Sequence, residues 1–63
     1  MEVQISYFSE VGQDGSDLTL EQRIQEIVTA TEGKAISLKT TDGIITCSNE
    51  EELRNALKEK GIL

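Results

Sequence analysis

Cys47 is the one side chain in this sequence with intrinsic nucleophilic reactivity. A reactive thiol needs its pKa lowered by an imidazolium, a nearby base or a helix N-terminus. The chain has no His, and the bases close to Cys47 in sequence belong to other faces of their elements. Cys47 is therefore expected to be a small buried hydrophobe. The serines and threonines lack a general base. Only a Ser–Lys pair or a carboxylate remains, and no motif places either one. No G-x-S-x-G, P-loop or G-x-G-x-x-G pattern occurs. Gly12-Gln13-Asp14-Gly15 has too few glycines for a phosphate cradle, and its acidic surroundings would repel one.

Glu10, Asp14 and Asp17 lie close together in sequence. Paired carboxylates perform acid–base chemistry when a cleft splits their pKa values. A chain of 63 residues rarely encloses such a cleft, so they are expected to be solvated loop acids. The same three are oxygen donors of the kind Ca²⁺ prefers, but the spaced series and closing Glu of an EF-hand are missing. With one Cys and no His, no structural zinc site is expected either. The expectation is no enzyme activity, no metal and no cofactor.

Charge is the most informative remaining property. Residues 1–32 hold seven acids (Glu2, Glu10, Asp14, Asp17, Glu21, Glu26, Glu32) against one base, Arg23. Residues 33–63 hold five acids and five bases, so the net charge of −6 belongs to the first half. A one-signed surface repels nucleic acid and attracts basic partners at a raised rate. The expected partner surface is Glu10, Asp14, Asp17, Glu21 and Glu26, facing a protein with a basic surface. Lys34, Lys39, Arg54, Lys58 and Lys60 fall on different elements, so no basic stripe exists for nucleic acid.

The elements that position these residues follow from periodicity. Val3, Ile5 and Tyr7 alternate with polar residues and Phe8, which predicts a strand over 2–8. Residues 9–17 are loop-like, with two glycines, two aspartates and two serines. Thr19 and Gln22 have capping-box spacing. Leu20, Ile24, Ile27, Val28 and Thr31 then form one helical stripe, with Glu21, Gln22, Arg23, Gln25 and Glu26 on the other side and Gly33 as the stop. Asp42-Gly43 between two β-rich runs predicts a type I′ hairpin, in which Leu38 faces Cys47. Ile36, Leu38, Ile45 and Cys47 would share the inner face. Ser48 with Glu51, or Asn49 with Glu52, caps a last helix whose stripe is Leu53, Ala56 and Leu57, ending at Gly61.

The fold class expected is α+β: a single β-α-β-β-α domain, 1–63, with a three-stranded, mainly antiparallel sheet and both helices on one face. Strand 3 between strands 1 and 2 would make every neighbouring pair antiparallel. The open sheet face would carry Phe8 and Ile44, which with an unpaired edge strand suggests a homodimer.

Leu38–Leu57 (LKTTDGIITCSNEEELRNAL) looks like the acidic half of a PB1 interaction domain, where an Asp-Gly hairpin leads through a strand into an acidic helix start. Ile44 stands where a second acid is usual, and the spacing to Glu51-Glu52-Leu53 is one residue short. The chain also lacks room for the two-strand start of that fold, so no function is carried over.

Met1-Glu2 does not begin a signal peptide, and no apolar run is long enough for a membrane span. The expected setting is cytoplasmic, without a membrane partner. The expected function is a small acidic inhibitor or adaptor of another protein, of a kind often encoded by phages. The alternative is a homo-oligomer that holds a small ligand at its subunit interface.

Overall fold

The computed structural model describes residues 1–11 and 19–63. Their order is β1 (Glu2–Gln4), α1 (Ser6–Ser9), α2 (Leu20–Thr31), β2 (Ile36–Thr40), β3 (Gly43–Cys47) and α3 (Glu50–Glu59). The sheet order is β1-β2-β3. β1 runs parallel to β2, with Val3 opposite Leu38, and β3 runs antiparallel to β2. The architecture is α+β with a mixed sheet. β2, not β3, is the central strand, so of the two neighbouring pairs one is parallel and one antiparallel, which corrects the mainly antiparallel sheet expected from sequence.

β1 is shorter than its alternation suggests, for a hydrogen-bonding reason. Gln4 pairs with Lys39, and β2 ends at Thr40. A strand continuing through 6–8 would have no neighbour there. The chain instead enters a helical turn at Ile5 (φ −60°, ψ −26°). The amides of Phe8 and Ser9 both donate to Ile5 O at 3.0 Å, satisfying the backbone internally. Helical spacing also turns Phe8 inward. It is 1% exposed, so it belongs to the core and not to the open sheet face where it was expected.

The hairpin turn lies one residue before the expected place. Thr40 pairs with Gly43 and Leu38 with Ile45, leaving Thr41-Asp42 as the two-residue connection. A type I′ turn needs positive φ at both connecting residues. Among the described residues Glu32 is the only non-glycine with positive φ. The positive φ falls on Gly43 instead, at 129°. The Thr40 hydroxyl holds this arrangement, accepting from Asp42 N at 3.1 Å and donating to Gly43 O at 2.9 Å. Moving a turn by one residue shifts each pairing by two, so every side chain keeps its face. Leu38 and Cys47 therefore stay buried although they no longer pair with each other.

Both long helices start on caps readable in their sequences, but α2 stops one residue before the expected Gly33, with Glu32 itself left-handed (φ 52°). Thr19 Oγ1 accepts from Gln22 N at 3.1 Å, and Gln22 Oε1 accepts from Thr19 N at 2.7 Å, a complete capping box. At α3, Asn49 Oδ1 accepts from Glu52 N at 2.9 Å, while the Glu52 carboxylate accepts from Ser48 N at 2.7 Å. Gly61 (φ 78°) ends α3. Ile62 N donates to Leu57 O at 2.9 Å and Gly61 N to Lys58 O at 3.1 Å, the two bonds of a Schellman ending.

The core collects Val3 from β1, Phe8 from α1, Ile24 and Ile27 from α2, Ile36, Leu38 and Cys47 from the hairpin, and Leu53, Ala56 and Leu57 from α3. Ile5, Tyr7, Leu20, Val28, Ile45 and Ile62 pack around it half-buried.

Candidate functional site

The expected acidic surface centres on α1, α2 and the segment between them. Asp14 and Asp17 lie outside the described residues. Glu10, Glu21 and Glu26 can be placed, and all three are exposed.

Arg23 organises this region. It was expected on the outer side of α2, yet it is only 6% exposed. Its guanidinium lies under the Tyr7 ring, 4.8 Å from the centroid, and Nη1 donates to Tyr7 O at 2.6 Å. The Tyr7 hydroxyl donates to Glu26 at 2.6 Å. That bond to a carboxylate raises the phenol pKa, with burial adding to the effect. Phe8 meets Tyr7 edge-on, with centroids 5.4 Å apart. Together these contacts fasten α1 to α2. Position 23 lies three residues after Leu20 and four before Ile27 of the apolar stripe, the sequence signal that could have revealed its burial.

Burying Arg23 changes the charge balance of the surface. It is the sole base of residues 1–32, so among the described residues the exposed side chains of α2 include acids and no base. Compensation comes from the other half of the chain. Arg54 of α3 forms a two-pronged ion pair with Glu21, one bond at 2.9 Å through Nη1 and Oε2 and a second between Nη2 and Oε1. Arg54 also contacts Glu50 at 2.8 Å, and Gln25 Nε2 donates to Glu50 at 3.3 Å. The Arg54 hydrogen bonds hold the Glu21 carboxyl below the usual carboxylate range. Lys39 likewise reaches Glu2 at 3.2 Å. The acidic half is thus partly neutralised in space, although not in sequence.

Glu21 and Glu26 border one strip of α2 together with Gln22, Gln25, Thr29 and Ala30. Glu10 borders a neighbouring shallow concavity with Glu2, Tyr7, Arg23 and Ile27. The structure therefore pairs Glu21 with Glu26 and sets Glu10 apart, with Tyr7 touching both regions. Glu21 serves the α2–α3 clamp and Glu26 accepts the Tyr7 hydroxyl, so Glu10 carries the least structural duty of the three.

Elsewhere the chemistry is sparse. Cys47 is fully buried, and burial pushes its thiol pKa up, with Glu52 adding to the rise. That is the opposite of nucleophile activation. Among the described residues no group of three or more His, Cys, Asp or Glu could hold a metal ion. No helix of the described residues is long and apolar enough to cross a membrane. The first-turn amides at Gln22 and Glu52 are taken by caps, which leaves little for an anion at either helix start. Ile44 lies on the outer face of the sheet, 60% exposed. Comparison with family models, with curated proteins and with solved structures found no match.

Proposed function

We propose that this chain is a small acidic protein-binding module, an inhibitor or adaptor of a partner with a basic surface. The burial of Arg23 carries this reading, because it leaves the exposed side chains of α2 and the end of α1 with acids and neutral residues only. Such a face accelerates encounter with a basic surface and disfavours nucleic acid. The docking residues are Glu10 and Glu26, with Glu21 adding charge while engaged by Arg54. A buried, unactivated thiol suits a reducing, cytoplasmic setting.

The test uses Glu10→Gln with Glu26→Gln, which keeps an acceptor for the Tyr7 hydroxyl. Immobilised wild type and double variant are compared for proteins captured from lysate, and the captured partner is then measured by surface plasmon resonance across a salt series. The expected result is a basic partner whose association slows several-fold in the variant, roughly as electrostatic steering predicts, with a flatter salt dependence. Association unchanged at every salt concentration would reduce these acids to a solvated surface.

A further inference from the structure

The sheet has two edges, and they are built differently. β1 offers three residues, carries Glu2, and turns at once into α1. Shortness and charge are standard ways of blunting an edge. β3 offers five residues, Gly-Ile-Ile-Thr-Cys, with no charged side chain and no proline. Its pairing with β2 runs from Gly43 to Cys47 without a bulge. None of the usual protective devices is present on that edge.

Hydrogen bonds on the far side of β2 show which groups of β3 are unpaired. Ser37 N donates to Met1 O at 2.7 Å, and Ile5 N donates to Lys39 O at 2.8 Å, so Ser37 and Lys39 address β1. The alternate residues Ile36, Leu38 and Thr40 then address Cys47, Ile45 and Gly43 across the antiparallel ladder. The amides and carbonyls of Ile44 and Thr46 point off the edge, and both residues are exposed.

We propose that β3 pairs antiparallel with β3 of a second copy, about a two-fold axis at Ile45. Ile44 of each copy faces Thr46 of the other, which engages every outward-pointing amide and carbonyl of the two strands. On the outer face each exposed Ile44 packs beside a Thr46 methyl. A second copy is the occupant because this register is self-complementary, with the same two residues supplying both halves of an isologous contact. The strip is also uncharged, so two chains of net charge −6 meet there without opposing charges on the paired strands. The blunted β1 edge stops association at two and prevents a filament. A contact this short falls below the size of stable interfaces and gives a weak dimer, with a dissociation constant on the order of micromolar or above.

Sedimentation velocity of the full chain from about 10 µM to about 1 mM tests this directly. The mass should rise from 6.9 kDa towards twice that value. The rise should come at lower concentration in about 0.5 M salt, where repulsion between the acidic copies is screened. Docking of a basic partner weakens with salt, so the two associations are distinguishable by the sign of their salt response. Thr46→Pro deletes an edge-facing amide that the β2 ladder does not use, and Ile44→Lys places a charge on the strip. Each should weaken the dimer at least tenfold while circular dichroism and cooperative unfolding persist. If Thr46→Pro does not fold, Ile44→Lys, at an exposed site, carries the test alone. A monomer at every concentration and salt, or a dimer indifferent to a folded variant, overturns the proposal.

Discussion

Replacing Phe8 by Ala should unfold most of the protein. A phenylalanine side chain buries roughly 200 Å², and Phe8 is 1% exposed. At about 25 cal/mol per Å² its transfer alone is worth about 5 kcal/mol. Substitutions of buried Phe by Ala cost about 3–5 kcal/mol, cavity included. For 63 residues, a typical stability of 0.05–0.15 kcal/mol per residue gives roughly 3–9 kcal/mol in total. The loss is therefore from about a third to all of that total, and a chain this small sits near its low end. Phe8→Leu keeps most of the volume and should cost about 1–1.5 kcal/mol, including the edge contact with Tyr7. Urea unfolding followed by circular dichroism reads both. With a slope of about 1 kcal/mol per molar, the Leu variant should move the midpoint down by about 1 M. The Ala variant should lack a native baseline. If Phe8 instead lay on an open sheet face, both variants would unfold within about 0.5 kcal/mol of wild type, and that result would refute its place in the core.

Cys47 should resist a bulky thiol reagent in the native protein and react only as fast as the chain opens, since its thiol is buried with a raised pKa; labelling as fast as in urea would contradict this. Cys47→Ala should leave partner binding intact and cost about 1 kcal/mol in urea unfolding. Arg54→Met should destabilise the protein at neutral pH by releasing Glu21 and Glu50. Because the Glu21 pKa is depressed in the folded state, its stabilisation is full above the ordinary carboxylate value and disappears as pH falls through the folded value. The stability gap between wild type and Arg54→Met should accordingly narrow in acid, and a gap unchanged from pH 7 to about pH 2 would show that the ion pair contributes nothing.

Local signals in the sequence were readable where one chain segment decides the outcome. The Thr19–Gln22 box, the Ile24–Ile27 stripe and the Gly61–Ile62 ending all depend on neighbours, and all form. Phe8 was misplaced because 2–8 fits period two and also places Ile5 and Phe8 one helical turn apart. Only the end of β2 at Thr40, a partner some thirty residues away in the chain, decides between them. Strand order was equally hidden, since the inward faces are the same whether β2 or β3 is central. The candidate site was legible as a count of charges and not as an arrangement. The burial of Arg23 and the reach of Arg54 to Glu21 both depend on tertiary neighbours that periodicity does not name.

The parallel pairing of β1 with β2 also has a kinetic side. β3 and α3 follow β2 directly, so the hairpin and its helix can assemble from contacts close in sequence. Val3 meets Leu38 only after the chain between them, α2 included, has been gathered into a loop. Closing that loop costs entropy before any strand bond forms. Contact order thus leads one to expect β1 to be the last strand secured and the first released. Tyr7 stands only 16 residues from Arg23 and 19 from Glu26, a shorter loop than the one between Val3 and Leu38, so the same argument lets the acidic face take shape before the sheet is complete.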